Sequence, residues 1–277
     1  MTYSSITYGV SDAVATVTLN RPEARNSITA EVHRELNDAV ARIHEDTDVK
    51  AVILTGSGGS FCSGGDIKAM QGANPSYAED KLRFDRVHEL LYRLMELPKP
   101  VIAAVDGPAF GAGCNLALTA DFILATPRAK FCQVFGRMGL VPDFGGLFLL
   151  PRIVGLQRAK ELMFSARIVG AEEARDLGMV YQIVAQDSLP AEARALARRF
   201  CHASTVAIGM AKRALNRSFS VDFHVMSEFE ASAQSRLRAD PYVKEAVRRF
   251  NNKEQLEFIW EKFDSQAADS GPTRTST

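Results

Sequence analysis

The chain has 277 residues, which is enough for one large domain with a sizeable core. Hydrophobic residues make up 46% of it and charged residues 24%, as is typical of a globular protein. Lys plus Arg and Asp plus Glu both number 33, so net charge gives no drive toward nucleic acid or an acidic membrane surface.

The N-terminal part predicts a strand followed by an amphipathic helix. Residues 13–20, "AVATVTLN", are rich in β-branched residues and alternate in polarity, which indicates a strand. Thr29 stands where an N-cap would begin the next helix. The helix carries five apolar residues at helical spacing, namely Val32, Leu36, Ala39, Val40 and Ile43.

The pattern of strand, glycine-rich turn and helix then repeats along the first two-thirds of the chain. Buried strands are predicted for "VKAVILTG", "PVIAAVDG" and "FILAT". A polar segment, 71–80, precedes a predicted helix near 81–97, and "GAGCNLALTAD" opens another helix. This order predicts an α/β layer fold with its functional sites on the loops that follow the strands.

From about residue 158 the pattern becomes mostly helical, without a second obvious core. We therefore expect a core over residues 1–200 and a helical C-terminal region of the same domain over residues 201–264. Residues 265–277 lack apolar side chains and predict a disordered tail.

Two loops, "FCSGGDIK" (61–68) and "GPAFGAGCNLAL" (107–118), place small residues where a helix should begin. Such a helix start leaves backbone N–H groups free to face a ligand. Two of these groups converging on one carbonyl oxygen would form an oxyanion hole. Packing is the more common reason for small residues in either loop alone. Neither loop matches a P-loop or a dinucleotide-binding fingerprint.

Together, five segments resemble successive signatures of the crotonase superfamily, the enoyl-CoA hydratases and isomerases. They are "NRPEARNSIT", "GSGGSFCSGGDIKAM", "KPVIAAVDGPAFGAGCNLALTADFILAT", "KFCQVFGRMGLVPDFGGLFLLPRIVG" and "AEEARDLGMVYQIV". The resemblance runs from about residue 16 to 250 and implies a crotonase-like ββα spiral with a helical trimerisation region. It also implies acyl-CoA thioester substrates and a homotrimer or a dimer of trimers. CoA is then part of the substrate, and neither a metal nor a redox cofactor is implied.

The resemblance also assigns site residues. The amides of Gly65 and Ala112 would form the oxyanion hole. The residues expected to contact CoA or the substrate are Arg25, Ser27, Ser63, Asp66, Ile67 and Phe135. Hydratases of this family use two glutamates, and the matching positions here are Asn115 and Phe135. Phe cannot transfer protons and Asn has no titratable proton, so hydration by the two-glutamate route is disfavoured. Asn115 is a candidate catalytic residue that would bond substrate or water, and the alternative is a structural role.

One carboxylate, Asp143, stands in the apolar run "GLVPDFGG". This run resembles the motif that carries the catalytic aspartate of dienoyl-CoA isomerases and of isomerases acting on epoxidised phenylacetyl-CoA. Asp143 would take and return one proton, with its pKa raised by apolar neighbours. From local sequence alone, "PDFGG" also reads as a turn or a helix N-cap.

A double-bond isomerase is therefore the favoured function. The alternatives are an enoyl-CoA hydratase with a nonstandard water site, and a non-catalytic CoA-ester-binding or RNA-binding relative. Four cysteines at no metal-ligand spacing fit a reducing compartment. No signal peptide and no membrane-spanning run are found, so we expect a cytoplasmic protein without nucleic-acid or membrane partners.

Overall fold

The structure, a computed structural model, describes residues 3–71 and 75–260. Within these residues the strands are β1 (Ile6–Ser11), β2 (Val14–Leu19), β3 (Ala51–Gly56), β4 (Val101–Val105), β5 (Pro108–Phe110), β6 (Phe122–Ala125), β7 (Lys130–Cys132), β8 (Ile168–Gly170) and β9 (Gln182–Ile183). The α-helices are α1 (Ala30–Glu45), α2 (Tyr77–Met95), α3 (Ala112–Leu118), α4 (Gly146–Val154), α5 (Leu156–Ser165), α6 (Ala171–Asp176), α7 (Leu189–Phe200), α8 (Thr205–Arg217), α9 (Phe223–Leu237) and α10 (Pro241–Asn251). Short 3₁₀ helices cover Pro22–Ala24, Ile67–Met70, Val134–Met138 and Gln186–Ser188.

The strands form two sheets. The larger has the order β1-β2-β3-β4-β6-β9, in which β1 and β2 are antiparallel and the other pairs are parallel. The smaller has the order β5-β7-β8, with β5 and β7 parallel and β7 and β8 antiparallel. The central strands β3 and β4 are buried on both faces, which is why their sequences are continuous apolar runs.

The large sheet separates two apolar layers. Side chains alternate along a strand, so Val52 and Leu54 pack with α1 and α2 on one face, whereas Ala51 and Ile53 pack with α7 on the other. The α/β layer architecture and the helical C-terminal part, here α7 to α10, agree with the sequence-based prediction. The predicted tail, 265–277, lies outside the described residues.

The starts of α1 and α2 confirm one sequence-based prediction and correct another. Thr29 is the N-cap of α1 and accepts from the Val32 N–H, as predicted. Helix α2 begins at Tyr77, earlier than the predicted start near residue 81. The cause is a capping box between Ser76 and Glu79, which satisfies the first N–H groups of the helix before its apolar face begins.

A buried carboxylate on α1 holds the N-terminal segment. Glu35 is 2% exposed and accepts hydrogen bonds from the N–H groups of Ser4, Ser5 and Ile6 and from the Ser4 hydroxyl, at 2.8 to 3.0 Å. Burial by itself raises the pKa of this carboxyl, but the hydrogen bonds outweigh burial and hold the pKa below its ordinary value. Glu35 therefore ties the start of β1 to α1.

Glu35→Gln is expected to lower the free energy of unfolding near neutral pH by about 1–3 kcal/mol, because an amide cannot accept all four hydrogen bonds. Since the folded-state pKa is depressed, the contribution is present above the unfolded-state pKa of about 4.5 and is lost as pH falls through the folded-state value. Urea unfolding of the two proteins across this range measures the difference. Glu31→Gln, an exposed change on the same helix, is the control. A difference that does not shrink at low pH would contradict the prediction.

Candidate active site

The candidate site forms where β5 and β7 end. These strands are parallel neighbours, with Phe110 opposite Cys132, so their carboxyl ends meet at one edge. Gly111 follows β5 and its N–H donates to the Cys132 carbonyl at 2.8 Å. Helix α3 then begins at Ala112, while Gln133 follows β7 directly. Ligands in α/β folds bind outside the carboxyl ends of parallel strands.

Two backbone N–H groups at this edge, those of Gly65 and Ala112, have no hydrogen-bond acceptor among residues 3–71 and 75–260. Ala112 is the first residue of α3, so its N–H has no intrahelical partner. The loops that carry the two groups lie in contact. A Cβ added at Gly64 would lie 3.7 Å from the Ala112 nitrogen. The prediction that Gly65 and Ala112 form an oxyanion hole is thus compatible with the fold.

A backbone bridge joins these two loops. The Cys62 N–H donates to the Pro108 carbonyl at 3.0 Å, and the Phe110 N–H donates to the Cys62 carbonyl at 2.9 Å. Gly113 lies directly against this bridge, since a Cβ there would overlap the Cys62 carbonyl and lie 2.7 Å from Cys62 Cβ. Glycine at 113 is therefore required for close approach of α3 to the loop.

The predicted CoA-binding segment packs against the same loop. The Ser63 N–H donates to the Arg25 carbonyl at 3.0 Å. The Ile28 N–H donates to the Gly64 carbonyl at 2.8 Å, and the Asp66 N–H donates to the Ile28 carbonyl at 3.1 Å. The fold therefore brings together the two segments that the sequence assigned to CoA.

The side chains of these segments differ in exposure and in whether they already have hydrogen-bond partners within the protein. Arg25 is exposed, and its guanidinium has no hydrogen bond or ion pair with the described part of the chain. Ile67 is 55% exposed. Ser27, Ser63 and Asp66 already make hydrogen bonds within the two segments. Arg25 and Ile67 are therefore the side chains most available to a ligand.

Asp143 occupies the first position of a tight turn. Its carbonyl accepts from the Gly146 N–H at 3.0 Å. The central residues Phe144 and Gly145 have φ values of 49° and 73°, the left-handed combination of a type I′ turn. A bulky residue is uncommon there, so burial of Phe144, 5% exposed, offsets the strain. Helix α4 has Gly145 as its N-cap, so of the two structural readings of Asp143 the turn is correct and the helix cap is wrong.

The Asp143 side chain is half-buried. Its Oδ1 atom is buried and has no hydrogen-bond partner among the described residues. Burial raises the pKa of this carboxyl above its ordinary value, while His88 and Arg83 of α2 oppose the rise electrostatically. A raised pKa brings a carboxyl closer to the range in which it can both accept and return a proton.

Asn115 does not present its side chain to a ligand. It is 0% exposed, its Nδ2 donates to the Asp143 carbonyl at 2.7 Å, and its Oδ1 accepts from Gln133 Nε2 at 2.7 Å. Of the two sequence-based readings of Asn115, this geometry favours the structural one. Sequence reasoning did not single out Gln133, because a Gln between two apolar residues at a strand end carries no signal of its own.

Other side chains near the two loops offer no further reactive group. Phe135 is 7% exposed and packs beside Gly111, since a Cβ added there would lie 3.7 Å from its ring. Burial raises the pKa values of the Cys62 and Cys114 thiols to about 12, so neither is a thiolate at neutral pH. Within the described part of the chain, no group of three or more His, Cys, Asp or Glu side chains could hold a metal ion.

No helix in residues 3–71 and 75–260 is both long and apolar enough to cross a bilayer.

Comparison with known proteins places the chain in one family. The enoyl-CoA hydratase/isomerase family model matches residues 9–262. A 1,2-epoxyphenylacetyl-CoA isomerase of Escherichia coli (strain K12) is 36% identical over 253 residues, which cover 90% of this chain and 96% of that protein. A crotonyl-CoA hydratase of Syntrophomonas wolfei subsp. wolfei is 35% identical over 261 residues, covering 94% and 99%.

A solved structure has the same architecture. The crystal structure of an enoyl-CoA hydratase/isomerase from Cupriavidus metallidurans CH34 matches with a TM-score of 0.88 and 36% identity, covering 100% of both chains. The predicted crotonase-like α/β fold is thereby confirmed. The names of the relatives include both isomerases and hydratases, so they do not separate the two reactions. This chain belongs to the enoyl-CoA hydratase/isomerase family of the crotonase superfamily and is an enzyme of that family.

Proposed function

We propose that this enzyme is an acyl-CoA double-bond isomerase in which Asp143 carries the proton. The supporting observation is that this chain lacks both glutamates that the hydratases of the family use and has one carboxylate, Asp143, at a different position. Of the two matching positions, Asn115 has both ends of its amide bonded to protein, and Phe135 is apolar and buried. Adding water across a double bond needs groups that orient and deprotonate the water and protonate carbon. Moving a double bond needs one base.

The reaction follows from this set of groups. The Asp143 carboxylate takes a proton from C2 or C4 of an enoyl-CoA thioester. The electron pair of the broken C–H bond moves into the thioester, and the resulting enolate oxygen is bound by the N–H groups of Gly65 and Ala112. The proton then returns from Asp143 to the other carbon, which shifts the double bond. Atoms and charge balance without an oxidant, a reductant or water, so the proposal includes no cofactor besides the CoA of the substrate.

We propose that CoA binds along the two segments that carry Arg25, Ser27, Ser63, Asp66 and Ile67. The exposed guanidinium of Arg25 has the charge to pair with a phosphate, and Ile67 offers apolar surface to an adenine ring. Phe135 would line the acyl side of the site beside Gly111. These roles come from the family resemblance and are supported by the hydrogen bonds that hold the segments together.

We also propose a homotrimer or a dimer of trimers in the cytoplasm, with residues 201–264 as the trimerisation region. The C-terminal helices α8 to α10 and the turns between them carry large exposed apolar side chains, including Leu215, Phe219, Phe223 and Phe250. Contiguous exposed apolar surface marks interaction sites. The balanced net charge supports neither nucleic-acid nor membrane binding.

Hydration remains the second candidate, because relatives of similar identity are named hydratases. One experiment separates the readings. The purified enzyme is incubated in deuterated buffer with 3-enoyl-CoA and with 2-enoyl-CoA, and products are followed by chromatography and mass spectrometry. We expect rearranged product without gain of water. Its mass is unchanged where Asp143 returns the proton it took, and deuterium enters at C2 or C4 where that proton exchanges with the buffer first. Gain of one water would support the hydratase instead. Binding of the ester without turnover would support a non-catalytic relative.

A further inference from the structure

We infer, on the basis of the function proposed above, that Gln133 and Asn115 act together to position the Asp143 carboxyl, and that neither amide contacts the substrate. Both side chains are buried, Asn115 at 0% and Gln133 at 3% exposure. They form a continuous hydrogen-bonded path from the end of β7, through α3, to the turn that carries Asp143.

The Asp143 carbonyl fixes which way both amides face. A carbonyl can only accept, so Asn115 must present its NH₂ group, with Nδ2 at 2.7 Å. Asn115 Oδ1 then accepts from the NH₂ group of Gln133, also at 2.7 Å. Rotating either amide by half a turn would place two acceptors against each other. The path therefore has one orientation, which the Asp143 carbonyl sets and the hydrogen bond from Gln133 stabilises at the far end.

The buried amide of Gln133 is destabilising, and packing alone does not explain why a Gln occupies this position. Its Oε1 atom is buried and has no hydrogen-bond partner among the described residues. A buried polar atom of this kind is destabilising, and a Met side chain would fill a similar volume without it. What Gln supplies and Met does not is the donor to Asn115 Oδ1. Its Nε2 also reaches Cys114 Sγ at 3.5 Å, a weak contact that does not replace this bond.

The turn that carries Asp143 rests directly on Asn115. A Cβ added at Gly146 would overlap Asn115 Nδ2 and lie 2.7 Å from its Cγ, so the two residues are in close contact. The same turn holds Phe144 at a φ of 49°, a strained value for a bulky residue. A strained turn supported by one buried amide will shift when that amide loses its own support. Asp143 then moves away from the reacting carbon.

The test compares two substitutions of Gln133 in the full-length enzyme. Gln133→Met removes the donor and keeps the volume. Gln133→Leu also removes the donor and replaces it with a branched apolar side chain of similar size. We expect kcat for 3-enoyl-CoA to fall by about 10²-fold or somewhat less, as for a displacement of about 1 Å in a reacting group. KM and the Kd of a saturated acyl-CoA should not change.

The pH dependence of kcat/KM separates a positioning role from a general loss of stability. Loosening the turn admits water to the carboxyl, which lowers its pKa, so the acidic limb of kcat/KM should move to lower pH. The titratable and charged groups that act electrostatically on this carboxyl, His88 and Arg83 of α2, are unchanged in both variants. Ile43→Val, a core substitution on α1 outside the site, serves as the control for lost stability and should leave the limb in place.

Each outcome either supports or overturns the positioning role of Gln133 and Asn115. A fall in kcat with a shifted limb and a constant KM supports positioning. Variants that behave like Ile43→Val, that raise KM alone, or that both fail to fold overturn it. Asp143→Asn is measured in the same assay. If Asp143→Asn is inactive while the Gln133 variants keep the wild-type limb, only the positioning role is wrong. If Asp143→Asn keeps full turnover, the proposed function itself is wrong.

Discussion

Asp143→Asn is expected to lower kcat/KM for double-bond isomerisation by about 10²–10⁴-fold, the range that general acid–base groups contribute. Asn has nearly the same shape and keeps the backbone carbonyl that Asn115 and Gly146 bond to, so the turn should persist. Only the proton acceptor is removed. Exchange of C2 or C4 hydrogens with deuterated buffer should fall by the same factor, because both measurements depend on removal of the same proton.

The pH profile gives an independent check. In the wild type, activity requires the ionised carboxylate, so kcat/KM should fall as pH drops through the raised pKa of Asp143. The acidic limb should therefore lie above the ordinary range of an aspartate and should be absent in Asp143→Asn. Asp85→Asn, which removes an exposed carboxylate on α2, controls for the change in charge. Wild-type turnover in Asp143→Asn, or the same loss in Asp85→Asn, would contradict the assignment.

The fold could be predicted from the sequence wherever burial leaves a periodic pattern. The strands around Val52 and Ile102 are continuous apolar runs because both faces of the sheet are covered. The start of α2 was placed too late because its first turn is exposed, and there the capping box between Ser76 and Glu79 decides the boundary. Strand β1 was missed although Ile6, Tyr8 and Val10 alternate with small or polar residues. Of its six residues only Ile6 is buried, so the strand lacks the apolar run that marks the central strands.

The site was predictable only in part. Resemblance supplied Gly65, Ala112 and Asp143 as candidate site residues, since motif spacing is visible in one sequence. It did not supply Gln133, whose importance depends on a contact with a side chain eighteen residues away in sequence. Nor did it show that Asn115 faces protein at both ends of its amide, because the direction of a side chain depends on the packing of α3 against the Asp143 turn.

Ala112→Pro should remove one oxyanion-hole donor while leaving α3 in place, and it is expected to lower kcat/KM by about 10²–10³-fold. Ala112 is the first residue of α3, where the N–H has no intrahelical partner and proline is favoured. The preceding residue is Gly111, which tolerates the backbone restriction that proline imposes on its neighbour. The ring carbon attached to nitrogen would also occupy space needed by the thioester oxygen.

Ala112→Gly is the matched control, since it changes the same side chain and keeps the N–H. It should retain most of the wild-type activity, and binding of free CoA should be unchanged in both variants, because CoA without an acyl group places no oxygen between the two loops. Circular dichroism and thermal unfolding show whether Ala112→Pro keeps its fold. If folded Ala112→Pro isomerises 3-enoyl-CoA at the wild-type rate, the Ala112 amide does not stabilise the enolate, and Gly65 must act with a donor from elsewhere.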